Sequence, residues 1–477
     1  MNDTSSKTPT YVPGLDHILG GGLPTRRISL VTGGAGCGKS VLAAQFLVGG
    51  AGAGEPGVLV TFEQGLDELR RDFRGFDFGF GERLGAGEIQ VLHVDPDMLP
   101  DTTTGSFTLD GLLLQLEGAI EEIGAKRVAL DTLESVISEL GDSANLRREL
   151  RRLFRWLEER GLTGLVTAEA GHGEAFTRRG LEEYVADCVI LLDFRIRNEL
   201  ATRRARVLKY RGGSHSGDEH PFLIGPSGIE LFPLTASRLE YEASRERIGT
   251  GIPSLDEMLD GTGVHRGSST LVSGSPGAGK SSLGAAFVDG ACRRGERALY
   301  FSFEESPEQI LRNMEAVGYD LRPWVDGDLL VFESRRPSQR GLEGHLFGIQ
   351  RAVEEHDPQV VVLDPFTSIA GPQETGPSRS MLVRLVDLLK GRSITTMFTA
   401  LEAANLSGHS ASQSHVSSLM DTWVVLQAKR TEGARHRYGW ILKSRGIEHS
   451  RYVRELTVTD EGIEFVATDG GRGEAAD

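Results

Sequence analysis

Short apolar runs recur along the chain. Ile28-Ser29-Leu30-Val31-Thr32, Val58-Leu59-Val60-Thr61-Phe62 and Arg127-Val128-Ala129-Leu130-Asp131 stand in the first half. Ser269-Thr270-Leu271-Val272-Ser273, Ala298-Leu299-Tyr300-Phe301-Ser302-Phe303 and Val360-Val361-Val362-Leu363-Asp364 answer them in the second. Such runs, without strict polar alternation, are the pattern of strands buried on both faces of a parallel sheet. Between them lie stretches at helical spacing. Leu146, Leu150, Leu153, Phe154 and Leu157 share one face, and Arg147, Arg148, Glu149, Arg151 and Arg152 the other. That helix reads as a surface element with a solvated charged face. Alternating strand, loop and helix predict an α/β fold: two tandem domains with mostly parallel central sheets and helices on both faces. The polar stretch Thr235 to Ser244 predicts the linker, with domains over 1–245 and 246–477.

Each predicted strand–helix junction carries a phosphate-loop motif. Gly33-Gly34-Ala35-Gly36-Cys37-Gly38-Lys39-Ser40 and Gly274-Ser275-Pro276-Gly277-Ala278-Gly279-Lys280-Ser281 both fit G-x-x-x-x-G-K-[ST], 241 residues apart. In such loops glycines let backbone N–H groups close around phosphate oxygens, the lysine reaches the β- and γ-phosphates, and the hydroxyl ligates Mg²⁺. The candidate nucleotide-binding residues are Gly33, Gly36, Gly38, Lys39, Ser40 and Val41, and Gly274, Gly277, Gly279, Lys280, Ser281 and Ser282. Repetition at about one domain length points to a duplicated domain.

The surroundings repeat as well. Glu63 and Glu304 each follow a strand, 24 residues after their loop lysine. Asp131 and Asp364 end apolar strands and are Walker B candidates, delivered to the ligand edge of a parallel sheet. Phosphoryl transfer needs charge neutralisation, a metal and a group that orients or deprotonates the nucleophile. Ser40 with Asp131, and Ser281 with Asp364, are the candidate metal ligands; Glu63, and Glu304 or Glu305, are the candidate catalytic carboxylates. The halves differ here, with Glu63-Gln64 against Glu304-Glu305, and a neutral amide cannot accept a proton as a base does. Lys209-Tyr210-Arg211-Gly212 and Lys443-Ser444-Arg445-Gly446 each read alone as basic strand ends. Their recurrence in register makes Lys209, Arg211, Lys443 and Arg445 candidate cationic fingers for a γ-phosphate, one held by a neighbouring subunit included.

Composition narrows the field. A formal charge of −16 argues against a duplex-DNA surface, whose affinity comes from clustered Lys and Arg. No run of about 18 apolar residues and no signal-peptide order occur, so a cytoplasmic protein without a membrane span is expected. Three separated cysteines offer neither a disulfide framework nor a zinc cluster. The absence of an N-K-x-D motif favours ATP over GTP.

With these residues assembled, the chain resembles the KaiC family of tandem RecA-like P-loop ATPases over nearly its whole length. The likeness rests on both phosphate loops, Thr61-Phe62-Glu63-Gln64 and Ser302-Phe303-Glu304-Glu305, the Asp-ended strands, both Lys-x-Arg-Gly segments, and the hydroxyl-rich stretch His409 to Thr422. The resemblance implies a double-ring homo-hexamer with ATP and Mg²⁺ between protomers, slow hydrolysis in the first ring and autophosphorylation in the second. It assigns the phosphoacceptors to Ser417 and Ser418, the general base to Glu305, and a reach into the neighbouring subunit's nucleotide to Lys443 and Arg445. Return of phosphate to ADP would make dephosphorylation the reverse step.

The chain departs from the clock protein in three ways. Both acceptor positions are serine, Gln64 replaces the second N-terminal glutamate, and no long extension follows the strand-like segment Arg451 to Val458. Stimulation by a KaiA-like partner is therefore not expected, whereas a KaiB-like partner of the first ring stays open. The alternatives are a RecA- or helicase-like DNA-dependent ATPase, which leaves the serine segment without a role, and a nucleotide-gated interaction platform.

Overall fold

A computed structural model describes residues 7–94, 109–132, 143–171, 186–197, 200–232, 243–337, 341–370, 376–401, 419–431 and 434–467. The chain divides into two compact units, Met1–Thr235 and Ala236–Asp477.

The principal elements of the first unit are β1 (Ile28–Gly33), α1 (Lys39–Gly52), β2 (Gly57–Thr61), α2 (Leu66–Asp72), β3 (Ile89–His93) and α3 (Asp110–Ile123). They continue with β4 (Arg127–Asp131), α4 (Ser143–Glu159), β5 (Thr163–Glu169), β6 (Cys188–Arg197), β7 (Leu200–Tyr210), β8 (His220–Gly225) and β9 (Gly228–Leu231). The nine strands form one sheet in the order 9-8-7-6-1-5-4-2-3. Strands 3-2-4-5-1-6 run parallel, and β7 to β9 extend the edge antiparallel.

The second unit repeats this plan. It comprises β10 (Ser269–Gly274), α5 (Lys280–Arg293), β11 (Ala298–Ser302), α6 (Pro307–Glu315), β12 (Leu330–Ser334), α7 (Leu342–His356) and β13 (Val360–Asp364). There follow α8 (Gly376–Gly391), β14 (Thr395–Leu401), β15 (Thr422–Thr431), β16 (Ala434–Ser444), β17 (Arg454–Thr459) and β18 (Gly462–Ala467). Its order, 18-17-16-15-10-14-13-11-12, is the first unit's raised by nine throughout. Two tandem RecA-like α/β domains result.

The central strands are buried along their whole length, as β1, β10 and β13 show. Alternate residues of β1 feed opposite cores: Val31 packs with Leu42, Phe46 and Ile190, Leu30 with Val166, Leu150 and Leu157. A strand buried on both faces has no polar side to alternate with, hence the unbroken apolar runs. Helix α1 closes one face over Arg127, whose side chain is fully buried. Arg127 donates to Phe46 O (2.9 Å) and Pro9 O (3.0 Å), pairs with Glu55 (2.6 Å), and lies 4.6 Å from the Phe46 ring centroid.

Two expectations are corrected. Glu149 of α4, placed by periodicity on the solvated face, is only 4% exposed, because Arg148 and Arg152 fold over its carboxylate at 3.5 Å each. The C-terminal strand starts at Arg454 rather than Arg451, and β18 pairs with it as a hairpin.

Candidate functional site

In both units the central strand ends in the phosphate loop and the following helix starts at the loop lysine. The N-cap residues, Gly38 and Gly279, hold φ of 105° and 106°, left-handed values that favour glycine. A Cβ on Gly38 would also come within 2.7 Å of Ile224 Cδ1. Glycine caps carry no side chain, so the first-turn N–H groups face the loop's concavity, where a helix N-terminus favours an anion. Lys39 Nζ bonds Gly33 O (2.8 Å) and Gly34 O (3.1 Å); Lys280 Nζ bonds Gly274 O (2.8 Å) and Ser275 O (2.9 Å). Gly36 and Gly277 share φ near 70° (71° and 74°). Ser40 and Val41, like Ser281 and Ser282, occupy the first helical turn.

Register brings the acidic residues alongside. Thr61 pairs with Asp131 and Ser302 with Asp364, so Glu63 and Glu304, two residues farther on, emerge beside the Walker B aspartates. Glu63 Oε1 accepts from Thr132 Oγ1 at 3.0 Å and Glu304 Oε1 from Ser368 Oγ at 2.9 Å. The aspartates differ in setting. Asp364 is buried and accepts from Tyr300 Oη (2.6 Å) and Thr399 Oγ1; Asp131 is half-buried and accepts from Thr167 Oγ1, and Leu59 holds the place of Tyr300. Burial, and then the Asp364 charge beside it, push the Tyr300 hydroxyl far above its ordinary range, so it stays a donor.

In the second unit these groups enclose a cavity of about 370 Å³, lined among others by Lys280, Ser281, Ser282, Glu304, Glu305 and Asp364. Arg437 of β16 lines it too, donating to Gly277 O at 3.1 Å, while Arg435 donates to Pro276 O at 3.0 Å. Sequence reasoning missed Arg437. A signal existed, since Arg203 and Arg437 each precede the lysine of Lys-x-Arg-Gly by six residues.

The Lys-x-Arg-Gly residues do not join their own loops. Lys209 pairs with Val189 and Tyr210 with Cys188, which in turn pairs with Ser29 at the start of β1. The loop leaves from the opposite end, at Gly33, four residues or about 13 Å along the strand. Lys209 donates to Ala186 O (2.7 Å), and Arg211 lies 3.6 Å from Asp187, with more than half its side chain exposed. Lys443, Arg445 and β10 repeat the arrangement, through Trp423–Lys443 and Thr270–Thr422 pairing. Burial and the neighbouring Arg445 depress the Lys443 ammonium. Ser417 and Ser418 lie outside the described residues.

Two phosphate loops, each on the central strand of its sheet, ordered 3-2-4-5-1 in the first unit and 12-11-13-14-10 in the second, define a tandem P-loop NTPase of the RecA-like class. The chain belongs to the KaiC family, whose description "ATPase: KaiC" matches residues 8–236 and 248–470. It is 43% identical over 471 residues to the circadian clock protein KaiC2 of Synechocystis sp., covering 98% of this chain and 83% of that one. Identity to KaiC3 of the same organism is 35%, covering 97% and 92%, and to the circadian clock oscillator protein KaiC of Synechococcus elongatus 34%, covering 96% and 88%. The protein is thus a nucleotide-binding KaiC-family ATPase. Among the described residues no helix is long and apolar enough to cross a membrane.

Proposed function

We propose that copies of this chain assemble as a homo-hexamer in which the first unit hydrolyses ATP and the second transfers the γ-phosphate to its own Ser417 or Ser418. The observation that carries the kinase reading is the composition of the second cavity. Its lining holds a loop lysine, an aspartate, two glutamates and Leu401, the last described residue before the serine segment. The domains divide near residue 245, and the assembly works in the cytoplasm as a signalling or clock-type device. Nucleic acid is not a substrate, in keeping with a formal charge of −16.

Within each site the loop N–H groups and Lys39 or Lys280 hold the β- and γ-phosphates. Ser40 with Asp131, and Ser281 with Asp364, supply oxygen donors of the hard type that suits Mg²⁺. The Tyr300 and Thr399 hydroxyls leave Asp364 lone pairs for such a role. Bound Mg²⁺ would neutralise charge developing on the β/γ oxygens. Glu305 takes the proton of the attacking serine, and its reverse action returns phosphate to ADP. Lys209, Arg211, Lys443 and Arg445, directed away from their own loops by the sheet register, serve the nucleotide of a neighbouring copy. Replacing Glu305 by Gln should slow serine phosphorylation by about 10² to 10⁴; an unchanged initial rate would assign the base elsewhere.

A further inference from the structure

In each unit a pair of side chains eight residues apart ties the turn after the second strand to the next helix, and in the second unit the pair lines the loop's cavity. In the second unit Asn313 Nδ2 of α6 donates to Glu305 Oε1 at 3.3 Å. In the first, Gln64 Nε2 donates to Asp72 Oδ2 of α2 at 2.8 Å. Gln64 and Glu305 each lie 25 residues after their loop lysine, and Asp72 and Asn313 each lie 33 after it. The two positions therefore carry one amide and one carboxylate in both units, with the groups exchanged.

The backbone beneath is the same. Thr61 Oγ1 donates to Gln64 O (3.0 Å) and accepts from Gln64 N (3.2 Å); Ser302 Oγ does the same with Glu305 (2.7 and 3.2 Å). Only the location of the negative charge differs. A carboxylate accepts, whereas an amide donates through nitrogen and accepts through oxygen. Asp72 therefore fixes which end of Gln64 faces it. The Gln64 side-chain nitrogen is committed, and among the described residues no group bonds its side-chain oxygen Oε1. In the second unit Arg312 Nη2 donates to Asn313 Oδ1 at 3.1 Å, turning the Asn313 nitrogen toward Glu305. One Glu305 oxygen is thus held while the carboxylate keeps acceptor capacity.

We propose that Asp72 and Asn313 are positioning residues, and that their exchange sets the chemistry of each site: an oriented amide acceptor for water in the first unit, an oriented carboxylate base in the second. The proposal rests on the nucleotide-site assignment above. In the first unit the water oxygen bonds to the γ-phosphorus as the bridging bond to ADP breaks. The Gln64 amide cannot take the water proton, which passes to the Glu63 carboxylate or leaves on the released phosphate. In the second unit the serine Oγ bonds to the γ-phosphorus, ADP departs, and the serine proton passes to Glu305.

The test uses the full-length chain with Lys280→Ala, which silences the second site, and follows phosphate release from Mg·ATP. Asp72→Ala should lower kcat about tenfold or more while KM stays within about twofold, as expected for lost orientation rather than lost binding. Asp72→Asn keeps an acceptor oxygen and should retain most of kcat. Gln64→Glu alone sets two carboxylates against each other and should be impaired; adding Asp72→Asn recreates the second unit's pair and should recover about tenfold. Without Lys280→Ala, Asn313→Ala should slow serine phosphorylation about tenfold at unchanged nucleotide affinity. An unaltered kcat in Asp72→Ala, as for a solvated helix residue, overturns the proposal. So does a first unit that hydrolyses no ATP. Absence of serine phosphate in the wild type, with the Asp72 pattern intact, rejects the autokinase reading and with it the role of Asn313, and leaves the Asp72 assignment standing.

Discussion

Glu305 shows how much a single position changes when its neighbours are fixed. The loops of the two units agree within 0.2 Å in the lysine-to-carbonyl bonds, and the first glutamates are both held by a hydroxyl following the Walker B strand. Among the described residues, the differences between the two sites lie at residues 64, 72, 305 and 313 and in the setting of the aspartates. The predicted loss of 10² to 10⁴ in Glu305→Gln belongs here, since the isosteric amide keeps shape while removing the proton acceptor. The sequence exposed the Glu63-Gln64 and Glu304-Glu305 contrast directly. It could not expose the Asp72 and Asn313 partners, because the residue type changes between the halves and the contact crosses from a turn to a helix.

At the scale of elements, the strand entering each loop and the helix leaving it form one rigid device. Helix α1 lies so close to β4 that a Cβ on Gly50 would sit 2.2 Å from Arg127 Nε, in a side chain with no exposed surface. Gly50→Ala should therefore destabilise the first unit by about 1–3 kcal/mol, the usual range for overpacking a filled core. Chemical denaturation checks this; an unchanged midpoint would show that Arg127 can move aside. The parallel strands were legible in the sequence because both faces are buried and no polar positions interrupt them. Less was legible at the antiparallel edge, where β7 and β16 mix arginines with apolar residues and no strong period survives. Glu149 was misplaced because helical periodicity assigns a face, while two neighbouring arginines decide how far its carboxylate is covered.

For the whole molecule, sheet register is the strongest constraint. Lys209, Arg211, Lys443 and Arg445 stand at the end of their sheets remote from their own loops, so their proposed action is on a γ-phosphate other than the one at their own loop, here assigned to a second copy of the chain. Co-assembling a Lys280→Ala protein, whose finger is intact, with an Arg445→Ala protein, whose loop is intact, should restore phosphorylation that neither shows alone. No restoration at any mixing ratio would place the finger's action within one chain or deny it. Whether the second unit is a serine autokinase is decided by phosphosite mapping of the full-length protein after incubation with Mg·ATP. Phosphate on Ser417 or Ser418 is expected; an unmodified Ser417-Ser418 segment with nucleotide bound would rule the kinase out.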